Sequence, residues 1–280
     1  MATLILQGSA LTADTAQQIA RQVDGHVELN NHYGAVHTHA PLPHELLQRL
    51  RSQATFDINV VPENFDASQV KLLVTDMDST LINIECIDEI ADFHNIKPQI
   101  AAITAAAMRG EIDFATSLTQ RVGLLKGLHT AALEHVYQER LQLNPGAEQL
   151  IVELHRRGIK VALVSGGFTF FTSRLQQRLH LDYTLANVLE VIDGKLTGQV
   201  VGAIVGAESK AHFLLELVKE LGISPQQTIA MGDGANDLLM MQHAGLSIAY
   251  HAKPAVQQQA LTALNYCGLE GVLGLMQVDG

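Results

Sequence analysis

Lys71-Leu72-Leu73-Val74-Thr75-Asp76-Met77-Asp78-Ser79-Thr80-Leu81 is an apolar run that ends in two aspartates one residue apart. A short apolar run bounded by a turn signal reads as a buried strand. Asp-x-Asp-x-Thr at its carboxyl end puts one carboxylate where the backbone turns and a second facing the same cavity. Such a pair can hold a cation and do covalent chemistry. Either aspartate also suits the N-cap of a following helix, so the choice between these readings rests on the rest of the chain.

Downstream, apolar strands at 71–75, 160–164, 228–231 and 246–249 alternate with helical patterns. That alternation marks a parallel sheet covered on both faces, an α/β fold of Rossmann type. About 80 residues separate the first strand from the second, far more than one crossover helix needs. The helix-rich stretch of about 86–140 therefore reads as an inserted cap. Asp193-Gly194 between two β-rich runs, Val188-Leu189-Glu190-Val191 and Leu196-Thr197-Gly198-Gln199-Val200, is a hairpin signal.

Upstream, residues 1–67 read as a small α+β domain of order β-α-β-β-α-β, with helices over 12–23 and 43–54. This order resembles a ferredoxin-like or ACT-like module, regulatory or dimerising. Residues 62–68 read as the linker, and 68–280 as the catalytic domain. His37 and His39 share a strand face, with His32 and His44 nearby. With no Cys, Asp or Glu completing a ligand set among them, they read as surface or edge-strand histidines.

Composition narrows the function. The chain has 280 residues, enough for a catalytic core plus something smaller. A formal charge of −11 argues against nucleic acid, which is bound by surplus Lys and Arg. No apolar run is long enough to span a bilayer, and Met1-Ala2-Thr3-Leu4 lacks the basic start of a signal peptide, so no membrane association and a cytoplasmic location are expected. Cys86 and Cys267 read as buried free thiols.

Two more strands end in chemistry-bearing residues. Ala162-Leu163-Val164-Ser165-Gly166-Gly167 brings a hydroxyl and unobstructed N–H groups to an anion, or else makes a plain turn. Met231-Gly232-Asp233-Gly234-Ala235-Asn236-Asp237 ends a strand in a Gly-flanked carboxylate. Lys210 falls between them in sequence. Ligands of open α/β sheets bind beyond the carboxyl ends of strands, so Asp76, Asp78, Ser165 and Asp233 are expected in one site. Carboxylates without Cys or His call for a hard ion, and magnesium suits a site shared with phosphate. Lys210, Ser165, Gly166 and Asn236 can then neutralise a transferring phosphoryl group while one Asp attacks phosphorus and its partner handles protons.

This four-part pattern resembles the haloacid dehalogenase superfamily and, from about 71 to 275, the phosphoserine phosphatase family within it. The resemblance rests on Asp76-Met77-Asp78-Ser79-Thr80, Glu85-Cys86-Ile87-Asp88-Glu89-Ile90, Met108-Arg109-Gly110, Phe114-Ala115-Thr116-Ser117-Leu118, Arg121-Val122, Val164-Ser165-Gly166-Gly167-Phe168, Lys210 and Gly232-Asp233-Gly234-Ala235-Asn236-Asp237. It implies magnesium-dependent hydrolysis of O-phospho-L-serine, with Asp76 forming an aspartyl-phosphate and Asp78 as acid and base. The metal ligands it implies are Asp76, Asp233 and the Asp78 carbonyl, with Asp237 in support. Ser165, Gly166, Lys210 and Asn236 would grip phosphate. Glu85 would pair the substrate ammonium and Arg121 its carboxylate. Met108 and Phe114 would form an apolar lid, a role that sits beside plain helix packing. A relative that transfers the phosphoryl group to another hydroxyl, such as homoserine, would carry nearly the same motifs. A non-catalytic sensor would have lost an aspartate, and none of Asp76, Asp78 or Asp233 is missing. A homodimer through the N-terminal region is a further expectation.

Overall fold

Strands β1 (Thr3–Gln7), β2 (Gly25–Leu29), β3 (Gly34–Thr38) and β4 (Asp57–Val61) form an antiparallel sheet in the order β2-β3-β1-β4. The structure, a computed structural model, describes residues 2–278. Helices α1 (Ala13–Gln22) and α2 (His44–Gln53) pack against one face of this sheet. Thr12 and Thr15 form a reciprocal cap that starts α1. Strand alternation sends Leu4, Leu6 and Val36 to the helices and Ile5, Ala35 and Val61 to the other face, where they join the main core. The strand order is the split β-α-β arrangement that the sequence pattern predicts.

A second sheet holds β5 (Leu72–Thr75), β6 (Lys160–Phe168), β7 (Tyr183–Ile192), β8 (Lys195–Val201), β9 (Thr228–Gly232), β10 (Leu246–Tyr250) and β11 (Thr262–Leu264). Its order is β11-β10-β9-β5-β6-β7-β8, parallel except for the β7–β8 hairpin. Asp193 (φ 50°) and Gly194 (φ 73°) turn that hairpin, both left-handed as a two-residue turn of this hand requires. Strand β5 is central and wholly buried, so its apolar residues pack on both faces: Leu73 into one core, Leu72 and Val74 into the other. Strand β6 runs four residues past the expected end at Val164, because its irregular pairing with β7 resumes at Phe168.

Between β5 and β6 lie α3 (Cys86–Asp92), α4 (Lys97–Met108), α5 (Phe114–Gly123), α6 (Ala131–His135) and a wide turn at Val136–Arg140. Residues of α3, α4 and α5 share a cavity with the residues at the carboxyl ends of β5, β6 and β9. The hairpin braces this cap: Gly127 N–H donates to Leu196 O (2.7 Å), Leu196 N–H to Leu128 O (2.8 Å) and Thr130 N–H to Gly194 O (2.9 Å). Further on, α7 (Ala147–Arg156), α8 (Thr169–Leu179), α9 (Ala207–Glu220) and α10 (Leu238–His243) cover the sheet.

The two sheets are tied by buried polar contacts. The Asn59 amide exchanges two 2.8 Å hydrogen bonds with the Ala263 backbone. The Asp57 carboxylate accepts from the N–H groups of Asn265, Tyr266 and Cys267 at 2.7–3.0 Å. Cys86 and Cys267 are buried free thiols. Among the described residues, no helix is long and apolar enough to cross a membrane.

Candidate active site

Strand β5 delivers Asp76 as its first residue beyond the sheet, where Asp76 N–H still donates to Met231 O of β9 (3.0 Å). The chain then makes a single wide turn, with Asp78 extended (φ −64°, ψ 134°) and Ser79 left-handed (φ 56°, ψ 3°). A non-glycine residue in that region is sparsely populated and held by its surroundings. Here Ser79 N–H donates to Ile84 O and Ser79 Oγ to Glu85 Oε1 (2.7 Å). Asp76 makes no side-chain helix cap, so that alternative does not apply to it. Asp78 does meet a helix start: its Oδ1 accepts from Cys86 N–H, the first residue of α3, at 2.8 Å. Asp78 is thereby anchored to the first turn of the cap.

Strand β6 supplies Ser165, whose hydroxyl donates to Asp78 Oδ2 (3.3 Å) and accepts from Gly167 N–H (2.8 Å). Glycine at 167 leaves Asp78 its place, since a Cβ there would lie 2.7 Å from Asp78 Oδ2 and force it to shift. Helix α9 carries Lys210, fully buried, with Nζ 2.6 Å from Asp76 Oδ1 and 2.7 Å from Asp237 Oδ1. After β9, Asp237 Oδ2 accepts from Gly234 N–H (3.1 Å), so Asp237, rather than Asp233, holds this turn. Gly232 leaves the room for it: a Cβ there would stand 2.3 Å from Asp237 Cγ. Thr80 Oγ1 lies 3.5 Å from Asp233 Oδ1.

A cavity of about 600 Å³ lies between cap and sheet, lined from the sheet side by Asp76, Asp78, Ser165, Gly166, Asp233 and Asn236. From the cap side come Glu85, Met108, Phe114 and Arg121. Lys210 and Asp237 lie buried beneath, reaching the site through Asp76. Met108 is 66 % exposed, which removes it from the helix core and leaves it at the rim. Phe114 is half-buried, its ring against the positions where Gly166 and Gly206 lack side chains.

Four polar residues to which the sequence assigned no role also line the cavity: Asp88 and Ser117, which fall within the quoted motifs, and Thr104 and Lys253, which do not. Asp88 had a signal, since it stands three residues after Glu85 on one face of a helix start. Lys253, with Nζ 3.9 Å from Met108 Sδ, had none. It belongs to a loop beyond β10, and only the fold brings it to the cap.

Charge in the site is unbalanced. One oxygen each from Asp76, Asp233 and Asp237 falls within 4.8 Å of the others, with Asp78 alongside and Lys210 the ammonium that neutralises two of them. Burial drives the Asp76 carboxyl well above the ordinary range, Asp237 adds repulsion, and Lys210 opposes both. Asp78 is raised by burial against the pull of Cys86 N–H, Lys210 and Ser165. Asp233 is pushed up to about 6 by burial and by Asp237. An all-oxygen donor set short of positive charge fits a hard divalent cation. Glu85 is pushed up to about 7, chiefly by withdrawal from bulk water and then by Asp78. Its carboxylate faces the open cavity, reachable by solvent yet surrounded by protein on most sides. Arg121 is partly desolvated, and among the described residues no carboxylate lies within 4 Å of its guanidinium; Asp88, Glu85 and Asp78 act on it from farther away. The arrangement offers a nucleophile, a protonatable partner, anion donors at Ser165 and Gly166, and one carboxylate and one guanidinium on the cap.

Residues 70–245 match the family model of the haloacid dehalogenase-like hydrolases. Phosphoserine phosphatase of Polaromonas sp. (strain JS666 / ATCC BAA-500) is 56% identical over 225 residues, 79% of this chain and 95% of that protein. A solved HAD family hydrolase from Salmonella enterica subsp. enterica serovar Typhi superposes with a TM-score of 0.89 at 35% identity, covering 99% of each chain. A phospho-aspartyl intermediate analogue of phosphoserine phosphatase superposes with a TM-score of 0.69 at 41% identity, covering 75% of this chain and 99% of that one.

Proposed function

This chain belongs to the haloacid dehalogenase-like hydrolases, and we propose that its substrate is O-phospho-L-serine, hydrolysed to L-serine and phosphate through an aspartyl-phosphate. The observation that carries the proposal is the sharing of one cavity by Asp76 and Asp78 on the sheet side with Glu85 and Arg121 on the cap side. A phosphorylated amino acid has three charged groups, and this cavity has a complement for each.

In the first step an Asp76 oxygen attacks phosphorus and the bond from phosphorus to the serine oxygen breaks. Lys210 holds Oδ1, and no donor among the described residues engages Oδ2, which makes Oδ2 the attacking atom. Asp78, kept protonatable by burial, gives its proton to the departing serine oxygen. In the second step Asp78 takes a proton from water, the water oxygen bonds to phosphorus, and the Asp76–phosphorus bond breaks. Ser165 Oγ and the Gly166 N–H would donate to the phosphoryl oxygens, with Lys210 and Asn236 in support. Asp76, Asp233 and the Asp78 carbonyl, with Asp237 as a supporting carboxylate, would hold a divalent cation, magnesium on this donor chemistry. Once bound, it neutralises charge so that a carboxylate can approach a phosphate.

On the cap, Glu85 takes the ammonium and Arg121 the carboxylate in a two-pronged contact. Met108 and Phe114 close the apolar side and limit water. The test is phosphate release from a panel of phosphomonoesters, with and without magnesium and with homoserine as a trial acceptor. Magnesium-dependent release that favours phosphoserine is expected. Equal turnover of a generic aryl phosphate would leave the family intact and remove the substrate assignment.

A further inference from the structure

A second group of metal-ligating side chains lies on the antiparallel sheet, away from the cavity. Thr3 pairs with His37 across β1 and β3, and His37 pairs with His26 across β3 and β2. The three residues therefore form one row on the sheet face opposite the helices. Glu28, two residues after His26, lies on the same face of β2. One donor atom from each of His26, Glu28 and His37 falls within 4.8 Å of the others. Of the histidines singled out above, only His37 belongs to this cluster; the neighbouring strand β2 brings it His26 and the carboxylate of Glu28.

These side chains are not satisfied by one another. His26 Nε2 stands 3.9 Å from Glu28 Oε1 and His37 Nε2 4.0 Å from Glu28 Oε2, beyond hydrogen-bonding distance. Bonds of about 2.0–2.1 Å at tetrahedral angles put donor atoms roughly 3.4 Å apart, so an ion between these donors, which lie within 4.8 Å of one another, draws the exposed side chains together. The two imidazole rings, 5.1 Å between centroids, are inclined at 34° rather than stacked flat. An orienting contact is also in place: Thr3 Oγ1 lies 3.2 Å from His37 Nδ1, which leaves Nε2 for the cluster. A hydrogen bond on the second ring nitrogen is how ligating histidines are held.

We propose that His26, Glu28 and His37 form a surface site for a borderline divalent transition-metal ion of the zinc type, with a fourth position open to water. Two nitrogens and one carboxylate oxygen match zinc, whereas the all-oxygen catalytic cluster matches magnesium, so the two sites sort their ions by donor type. Bound metal would pin the exposed edge strand β2 to β3.

The experiment is calorimetric titration of the full chain with zinc chloride in excess magnesium, paired with visible spectra on cobalt substitution. One micromolar or tighter equivalent is expected, with a tetrahedral cobalt spectrum. The chain has thirteen histidines, so variants locate the site. His26→Ala/His37→Ala should lose that equivalent, and Thr3→Val should weaken it by about 10- to 100-fold while leaving phosphatase activity unchanged. No zinc equivalent in the wild type, or unchanged affinity in the double variant, would overturn the proposal. Unchanged affinity in Thr3→Val would remove the orienting role.

Discussion

Lys210→Met removes the ammonium that bonds both Asp76 and Asp237 and leaves the apolar length of the side chain in place. All three groups are buried, with side-chain exposures of 0 %, 7 % and 0 %. Deleting one partner of a buried ion pair typically costs about 3–5 kcal/mol, because the remaining charge is stranded without water. Two carboxylates are stranded here, so the upper half of that range is expected at neutral pH, a loss of roughly three orders of magnitude in the folding equilibrium. The pH dependence carries a sign. Asp76 already binds its proton more tightly folded than unfolded, so its ionisation weakens the fold as pH rises above about 4. Without Lys210 the Asp76 carboxyl rises further, so the variant's deficit should be largest at pH 7.5 and shrink toward pH 5. Lys210 itself is raised and stays protonated over that range in the wild type. Urea unfolding at both pH values, with chelator present so that no metal compensates, measures the effect. Adding Asp237→Asn should recover part of the loss. A deficit below about 1 kcal/mol with no pH dependence would refute the reasoning.

Arg121→Lys should raise KM for phosphoserine by about 10- to 100-fold, the worth of a charged two-pronged contact, and barely change turnover of an aryl phosphate that has no carboxylate. Since Glu85 lies at about 7, its charged fraction grows between pH 6 and 8; kcat/KM for phosphoserine should rise over that interval, and Glu85→Gln should flatten the rise. Gly167→Ala, whose Cβ would lie 2.7 Å from Asp78 Oδ2, should lower kcat far more than it lowers thermal stability, measured by steady-state kinetics and melting. Asp57→Ala would strand three backbone N–H groups between the two sheets and should cost about 3 kcal/mol in unfolding experiments without altering KM.

The parts of the fold that were legible in sequence are those whose signals are local. Strand β5 ends at Asp-x-Asp because an apolar run and a turn adjoin, and Asp193-Gly194 needs only two left-handed residues to make its hairpin. The β-α-β-β-α-β order of the first 61 residues was readable from alternation alone. Strand β11 escaped because Thr262–Leu264 is three residues long, too short for a period to register. The brace from β8 to the cap is made of backbone hydrogen bonds, which leave no trace in side-chain identity. Lys253 reached the cavity from a segment distant in the chain, and Glu28 reached His37 through the pairing of two neighbouring strands. The acidic and glycine motifs showed which residues to watch. That Lys210 sits under Asp76 and Asp237 rather than facing the cavity is a matter of where α9 packs.

The nucleophile is the centre of the account, and acid quenching during turnover of radiolabelled phosphoserine tests it most directly. Label should be recovered on the peptide that contains Asp76, and Asp76→Asn should abolish both label and phosphate release. Recovery of label on Asp78 or Asp233, or full turnover by Asp76→Asn, would contradict it.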